Sequence, residues 1–185
     1  MSDVLLVAAT ERELDGRDGL VCGIGPVEAA AATARALVLG SYAAVLHVGV
    51  AGGRGLAPCS FVIGEEAVYC DLAAAIQLVD RVPADGRLVA AAREALPGAP
   101  VLAIGTSAAV GGVERGLAVE AMEGFGVLRA AALAGVPAVE IRAISNEIGE
   151  ADRSRWQIAE AIETLSCAVP SLLTRIESSV ARPAY

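Results

Sequence analysis

The sequence contains no lysine, a single histidine and few aromatic residues, and these shortages exclude several classes of function. The 14 basic residues are all arginine and face 22 acidic residues, so the net charge is −8. Nucleic acid and anionic membrane surfaces would repel such a chain, and we expect neither as a partner. Because only 3% of the residues are aromatic, alanine, valine and leucine must fill most of the core.

The cysteines and the histidine do not form a metal-binding pattern. Cys22, Cys59, Cys70 and Cys167 are scattered without a CxxC pair, and His47 lies in the apolar run "AAVLHVGV". This spacing predicts neither a metal site nor a disulfide framework. We therefore expect reduced and mostly buried thiols.

Long apolar runs are also missing. No window approaches the roughly 20 uninterrupted apolar residues that a membrane-spanning helix needs. The opening "MSDVLLVAATERE" has an acid where a signal peptide carries basic residues. These features predict a soluble cytoplasmic protein, and the 185 residues predict one domain that covers residues 1–185.

Apolar runs of strand length alternate with stretches typical of helices. Strands are predicted at residues 4–9, 20–22, 43–50, 61–70, 100–108, 117–120 and 137–146. Helices are predicted at residues 26–39, 83–96, 122–134 and 152–179, the last with a bend near Pro170. This alternation predicts an α/β fold in which three layers, α/β/α, enclose a central mixed, mainly parallel sheet.

Polar residues gather where these strands end. They are Glu13, the "AGG" that begins at Ala51, Thr106–Ser107, Glu120–Glu123 and Ser145–Asn146. Ligands bind at the carboxyl ends of strands in open α/β sheets, so this distribution predicts a site there.

Taken alone, each short motif can also be explained by a purely structural role instead of a function. "GIGPVE" lacks the third glycine of a dinucleotide fingerprint and favours a tight turn before a helix. "GVAGG" has no lysine and is not a P-loop, which leaves a packed turn and a ligand cradle both open. Glu13 fits an exposed loop residue, Glu140 and Arg142 fit alternate solvent-facing positions of a strand, and Asn146 fits a turn.

The order of the motifs is more informative than any one of them. "ATERE", "GIG", "VGVAGG", "VEAMEGFG" and "IRAISN", in this order, resemble the nucleoside phosphorylase and nucleosidase superfamily over most of the chain. Within it, "MEG" together with "IRAISNEIG" and "DRSRW" is most similar to the futalosine hydrolases. The resemblance implies a nucleoside phosphorylase-like fold, hydrolysis of futalosine to hypoxanthine in menaquinone biosynthesis, no cofactor, a small nucleoside as substrate, and a homo-oligomer.

The resemblance also implies roles for particular residues. Glu13 would orient and deprotonate the attacking water, Met122 would pack on the ribose, and Glu123 would accept hydrogen bonds from the sugar hydroxyls. The transition state of such a cleavage resembles an oxocarbenium ion, which a fixed carboxylate stabilises. Glu120 is expected to support the site or to be solvated.

The base is assigned to Asn146, where adenine-specific nucleosidases have an aspartate. An amide donates through its NH₂ group and accepts through its oxygen, which suits a 6-oxopurine such as hypoxanthine. Backbone at Ala51 and Gly52 would line the base or sugar. Arg142 and Ser145 would orient Asn146 or Glu123.

Three alternatives stay open. A purine nucleoside phosphorylase acting on 6-oxopurine nucleosides would need phosphate ligands, for which Arg54 and Thr106–Ser107 are the candidates, although Val50 replaces the Ser or Thr frequent in relatives. A non-catalytic nucleoside-binding protein would have lost an acid, yet Glu13 and Glu123 are both present. An NAD(P) oxidoreductase is the least favoured.

The resemblance has gaps near the substrate. The segment between Glu13 and Gly23 is short for this superfamily, and no clear aromatic residue is present to stack on the base. Phe125 and Tyr69 are the candidates for stacking, although Phe125 better fits a position in the core. Trp156 is expected to anchor a helix instead.

Overall fold

The computed structural model describes residues 4–72, 76–110 and 116–181, and a mixed sheet forms its centre. The eight strands of the sheet are β1 (Val4–Ala8), β2 (Leu20–Val21), β3 (Ala44–Gly53), β4 (Phe61–Tyr69), β5 (Arg81–Pro83), β6 (Val101–Thr106), β7 (Val119–Ala121) and β8 (Ala138–Glu147). The helices are α1 (Glu11–Leu14), α2 (Pro26–Leu39), α3 (Gly86–Ala95), α4 (Gly124–Ala134) and α5 (Ile158–Val180), with a short 3₁₀ helix at Arg153–Arg155.

The strands follow the order β2-β1-β3-β7-β6-β4-β5, and β8 pairs with both β3 and β4. Strands β3, β7, β6, β4 and β8 therefore pair in a closed circuit. The pairs β1–β2, β1–β3, β3–β8, β4–β6 and β6–β7 are parallel, whereas β3–β7, β4–β5 and β4–β8 are antiparallel. The prediction of a mixed, mainly parallel sheet is confirmed.

Helices cover both faces of the sheet because successive strand residues point to opposite sides. On one face, Leu6, Leu46 and Ile141 pack with Leu88 of α3 and Leu165 of α5. On the other face, strand residues that alternate with these pack against α2 and α4; this cluster contains Leu5, Val7, Val45, Ala29, Val127 and Leu128. The predicted three layers are therefore present.

Three predicted helices begin later than expected. Pro83 ends β5, and α3 starts at Gly86 with Asp85 as its N-cap, whose carboxylate accepts from the N–H groups of Arg87 and Leu88. Helix α4 starts at Gly124, so Met122 precedes it. The predicted helix 152–179 is divided, because the 3₁₀ helix comes first and α5 begins at Ile158.

Helix α5 continues through Pro170. Proline has no N–H group, so the carbonyl of Ser166, four residues earlier, loses its helical partner. That carbonyl instead accepts a hydrogen bond from Nη2 of Arg17 at 2.8 Å. Arg17 lies just after α1, and the contact ties α1 to α5. None of the helices in the described ranges is long and apolar enough to cross a membrane.

Candidate active site

A cavity of about 360 Å³ opens at the carboxyl ends of β1, β3 and β8, beside β7. Its wall contains seven of the eight residues predicted for the site, while Arg142 lies buried behind it. The polar lining residues are Thr10, Arg12, Glu13, Glu120, Glu123, Ser145 and Asn146, the small ones are Ala9, Ala51, Gly52 and Ala121, and Met122 lies among them. The apolar lining includes Ile24, Val50, Val110, Ile148, Trp156, Ile158 and Ile162.

Glu13 is fixed by the start of α1. Its side chain is 6% exposed, which excludes the reading as an exposed loop residue. Oε2 accepts from the N–H group of Thr10 at 3.0 Å and from its hydroxyl at 2.8 Å. Oε1 accepts from the N–H group of Val50 in β3 at 3.2 Å. Three donors thus hold the carboxylate in one orientation at the cavity wall.

Glu123 is the residue that precedes α4, and it is 4% exposed. Oε1 accepts from the N–H group of Gly25 at 3.1 Å, and Oε2 accepts from Nη2 of Arg142 at 3.3 Å. Gly25 has a φ of 97°, which a residue with a side chain rarely adopts. The "GIG" segment is therefore a turn before a helix, as expected, and it also holds a carboxylate of the cavity.

Arg142 lies on β8 beneath the cavity and is 1% exposed. Nε donates to Oε1 of Glu140 at 2.7 Å, Nη2 contacts Nε2 of His47 at 2.6 Å, and Nη1 donates to the carbonyl of Val50 at 3.4 Å. Gly49 is its partner in the strand register. A Cβ atom there would lie 2.1 Å from Nη1, so the absence of a side chain at Gly49 makes room for the guanidinium.

Burial opposes the charge of Arg142, but the carboxylates of Glu140 and Glu123 outweigh it and raise the pKa of the guanidinium. Arg142 is therefore a permanent cation. Burial raises the pKa of Glu140 against the lowering effect of Arg142. Together these groups form a buried cluster in which one positive charge faces several carboxylates.

His47 is fully buried on β3. A guanidinium can only donate, so Nε2 of His47 must accept from Arg142. Nδ1 then carries the proton and donates to the carbonyl of Val7 at 3.1 Å. Burial and the charge of Arg142 lower the pKa of His47 well below its usual value. The ring is a neutral acceptor with a single tautomer.

Asn146 is half-buried at the end of β8, where the pairing with β3 shifts register at Gly52. Oδ1 accepts from the hydroxyl of Ser145 at 2.7 Å, and Nδ2 donates to the carbonyl of Glu147 at 3.1 Å. The amide oxygen retains a second lone pair and the NH₂ group a second proton. The side chain can therefore both accept from and donate to a ligand.

Comparison with known proteins gives this arrangement a family. Residues 19–178 match the sequence profile of the Phosphorylase superfamily. The chain belongs to this superfamily. A futalosine hydrolase of Streptomyces coelicolor is 37% identical over 89% of this chain and 81% of its own length.

Two solved structures share the fold. A futalosine hydrolase mutant of Helicobacter pylori matches with a TM-score of 0.83 at 17% identity, over 92% of this chain and 98% of its own. A 5′-methylthioadenosine/S-adenosylhomocysteine nucleosidase of Colwellia psychrerythraea, in complex with adenine, has a TM-score of 0.83 at 21% identity and covers 94% and 95%. The predicted superfamily and fold are confirmed.

The residues considered for phosphate, which phosphorylases of the superfamily need, do not line the cavity. Arg54 is exposed. The hydroxyl of Thr106 accepts from the N–H group of Phe125 at 2.8 Å, and that of Ser107 donates to Oδ1 of Asp71 at 2.8 Å. Neither hydroxyl faces the cavity.

Phe125 packs against a buried apolar cluster, so its assignment to the core is confirmed. Phe125 and Tyr69 stack on each other with ring centroids 5.1 Å apart, and neither lines the cavity. Trp156 does line it, and its indole N–H donates to the carbonyl of Glu150 at 3.0 Å. Trp156 is therefore the aromatic side chain available to a ligand among the described lining residues.

Cys22 lies close to this cluster but is not a nucleophile. Burial, reinforced by the charge of Glu123, raises the pKa of its thiol to about 12, so it stays protonated at neutral pH. Within the described ranges, no group of three or more His, Cys, Asp or Glu side chains is placed to hold a metal ion.

The interpretation of Glu140 and Arg142 as solvent-facing strand residues is wrong, since both are buried. They occupy the same face of the sheet as Ala138 and His47, beneath α4. The sequence held one signal of this, namely two opposite charges at alternate positions of the otherwise apolar "PAVEIRAIS". Apart from the apolar neighbours of His47, nothing in the sequence indicated that this residue belongs to the buried cluster.

The neutral state of His47 predicts a loss of stability in acid. Because its pKa in the folded protein is well below 6.5, the unfolded chain binds a proton below about pH 6.5 that the folded protein does not bind. The stabilisation of the folded state that results is fully present above that pH and is lost as the pH falls. Between about pH 7.5 and 5.5, the wild type should lose about 1.4 kcal/mol more free energy of unfolding than His47→Gln.

Urea unfolding of both proteins at the two pH values measures this difference. The raised pKa of Glu140 changes the free energy of unfolding with pH in the opposite direction. Because Glu140 is present in both proteins, its effect largely cancels in the comparison. Equal losses in the two proteins would contradict a neutral buried His47.

Proposed function

We propose that this protein is an N-glycosyl hydrolase that cleaves futalosine with water and releases hypoxanthine. The 37% identical relative from Streptomyces coelicolor is a futalosine hydrolase. The observation that carries the proposal is geometric. Two buried carboxylates from distant parts of the chain, Glu13 and Glu123, line one cavity above the buried charge of Arg142.

Glu13 is the residue that handles the water in this proposal. Its three donors keep the carboxylate in place, while its position on the cavity wall leaves it accessible to a ligand. The water oxygen forms a bond to C1′ as the bond from C1′ to the base breaks, and Glu13 takes a proton from the water. The base leaves with the bonding electrons and takes up a proton from solvent.

Glu123 and Met122 hold the ribose. Each oxygen of Glu123 has one donor from the protein, and a carboxylate oxygen can accept a further hydrogen bond. The sugar hydroxyls supply these donors. As positive charge develops on the sugar, the fixed carboxylate stabilises it. Met122, half-buried on the wall, packs against the sugar.

Asn146 selects the base. With its remaining N–H it donates to O6 of hypoxanthine, and with its remaining lone pair it accepts from a protonated N7. An adenine would present an amine opposite the amide N–H and leave both donors unmatched, a mismatch that discriminates strongly in a buried site. Ser145, which donates to Oδ1 of Asn146, keeps this orientation, while the backbone of Ala51 and Gly52 lines the base or sugar.

A purine nucleoside phosphorylase acting on the same class of base is the second candidate. It is less well supported, since Arg54, Thr106 and Ser107 do not line the cavity. The proposal also includes a role in menaquinone biosynthesis, a cytoplasmic location and a homo-oligomer. For the homo-oligomer, the support is that Ile24 and Val110 at the cavity are 62% and 49% exposed, so a second subunit would cover apolar surface.

The proposal predicts hypoxanthine release from futalosine that does not depend on phosphate. Release is to be measured with futalosine, inosine and methylthioadenosine, first in phosphate-free buffer and then with phosphate. We expect futalosine to be preferred and phosphate to change the rate by less than about twofold. Release that requires phosphate would assign the protein to the phosphorylases, and binding without turnover would indicate a nucleoside-binding protein.

Replacing Asn146 tests the account of base selection. In Asn146→Asp the donor to O6 is lost and a charge faces the carbonyl oxygen, so we expect kcat/KM for futalosine to fall by at least about tenfold. Glu147→Gln is the matched control, because this neighbouring carboxylate is exposed and contacts the N–H group of Gly55 instead of the cavity. If Asn146→Asp turned over futalosine as well as the control, Asn146 would not select the base.

A further inference from the structure

We propose that His47 is a positioning residue of this enzyme, which holds the guanidinium of Arg142 in place to support Glu123. The inference rests on the proposed function. His47 does not line the cavity and acts through Arg142 alone. The residue that this arrangement supports at the cavity is Glu123. Its Oε2 accepts from Nη2 of Arg142, the same nitrogen that contacts His47.

The contacts of Arg142 show why its orientation needs this support. Nε is directed at Glu140 and Nη1 at the carbonyl of Val50. Two hydrogen bonds of the guanidinium are long, namely the one to the carbonyl of Val50, at 3.4 Å, and the one to Glu123, at 3.3 Å. The contact to His47, at 2.6 Å, is the shortest and determines where Nη2 lies.

A neutral imidazole suits this position for a physical reason. An aliphatic side chain would leave a buried N–H group of Arg142 without an acceptor, which is costly. A carboxylate would be a better acceptor but would compete with Glu123 for the same cation. His47 supplies a neutral acceptor, and its bond to the carbonyl of Val7 fixes the tautomer. Arg142 thus keeps its charge directed towards Glu123.

The test compares His47→Gln with His47→Leu. The amide oxygen of glutamine can replace Nε2 as an acceptor, whereas leucine has a similar size and no acceptor. We expect His47→Leu to lower kcat for futalosine by about 10- to 100-fold, with KM changed less than threefold. His47→Gln should retain kcat within about threefold of the wild type, because it keeps the acceptor for Arg142.

Melting temperatures separate positioning from a structural role. If His47 only stabilised the fold, His47→Leu would lower the melting temperature while kcat per folded molecule stayed at the wild-type value, and the proposal would be overturned. Equal kcat losses in both variants would also overturn it, because an acceptor would then not suffice. A wild type that does not cleave futalosine would instead contradict the proposed function itself.

A separate observation concerns the part of the cavity beyond the ribose, and it also rests on the proposed function. We propose that Arg12 binds an anionic group at the end of an apolar 5′ substituent of the nucleoside. Helix α1, which carries Arg12, packs against α5. Helix α5 contributes Ile158 and Ile162 to the cavity, and Trp156 precedes it.

Arg12 is the cation among the described lining residues, and its side chain makes no hydrogen bond or ion pair with the described residues. The remaining charged residues of the wall are Glu13, Glu120 and Glu123. An anionic ligand would be repelled by these carboxylates and by the net charge of −8. An unpaired guanidinium beside an apolar wall attracts an anion locally, against this repulsion. It therefore suits a 5′ substituent that is apolar along its length and negatively charged at its end.

The test uses futalosine, which carries a carboxylate on its 5′ substituent, and inosine, which has a 5′ hydroxyl group. Arg12→Met should raise KM for futalosine about five- to tenfold, and Arg12→Lys should stay within about twofold of the wild type. Inosine, measured as a substrate or as a competitive inhibitor, should bind both variants as it binds the wild type. Arg175→Met, at an exposed ion pair with Glu94, is the control for a lost surface charge.

Equal effects of Arg12→Met on both nucleosides, or no effect on either, would overturn the assignment of Arg12. In both cases futalosine would still be hydrolysed by the wild type, so the proposed function would stand.

Discussion

The buried charge of Arg142 is the constraint on which the site depends. A guanidinium removed from water is unstable unless charged and polar partners surround it. Here four partners come from three parts of the chain, namely Glu140 on β8, His47 and Val50 on β3, and Glu123 before α4. Because a missing partner would leave the charge uncompensated, folding brings these segments together in one arrangement. The position of Glu123 is therefore a consequence of charge burial.

The glycines around this cluster follow from the same constraint. Gly49 lies against the guanidinium, and a Cβ atom on Gly124 would lie 2.1 Å from Oε2 of Glu140. Side chains at these positions would collide with the charged groups. Gly49, the first glycine of "VGVAGG", and Gly124, the glycine after "ME", thus leave space for buried charged side chains, in addition to any role towards a ligand. A motif that is ambiguous in sequence acquires a definite physical role once its neighbours are known.

The sequence predicted the three layers, the mixed sheet and the gathering of polar residues at strand ends, because apolar strands buried on both faces leave a clear pattern. The order of the motifs predicted the superfamily, which the family match confirms. The roles of Glu13, Glu123 and Asn146 stay predictions. The two opposite charges in an apolar strand were the one sign that Glu140 is buried, and they did not suffice. Its burial depends on a cluster assembled from distant segments; Arg142 and His47 alone are 95 positions apart. The three-residue β5 was too short to give a pattern.

The bond from Arg17 to the carbonyl of Ser166 has a consequence for the order in which the cavity is assembled during synthesis. Helix α1, which carries Glu13, is synthesised well before α5, yet it packs against α5 and is tied to Ser166, which lies 149 positions after Arg17. The nascent chain can form β1 and β3 well before this tie exists. The carboxylate of Glu13 therefore reaches its final surroundings only after α5 has been synthesised, so this wall of the cavity is completed late in folding.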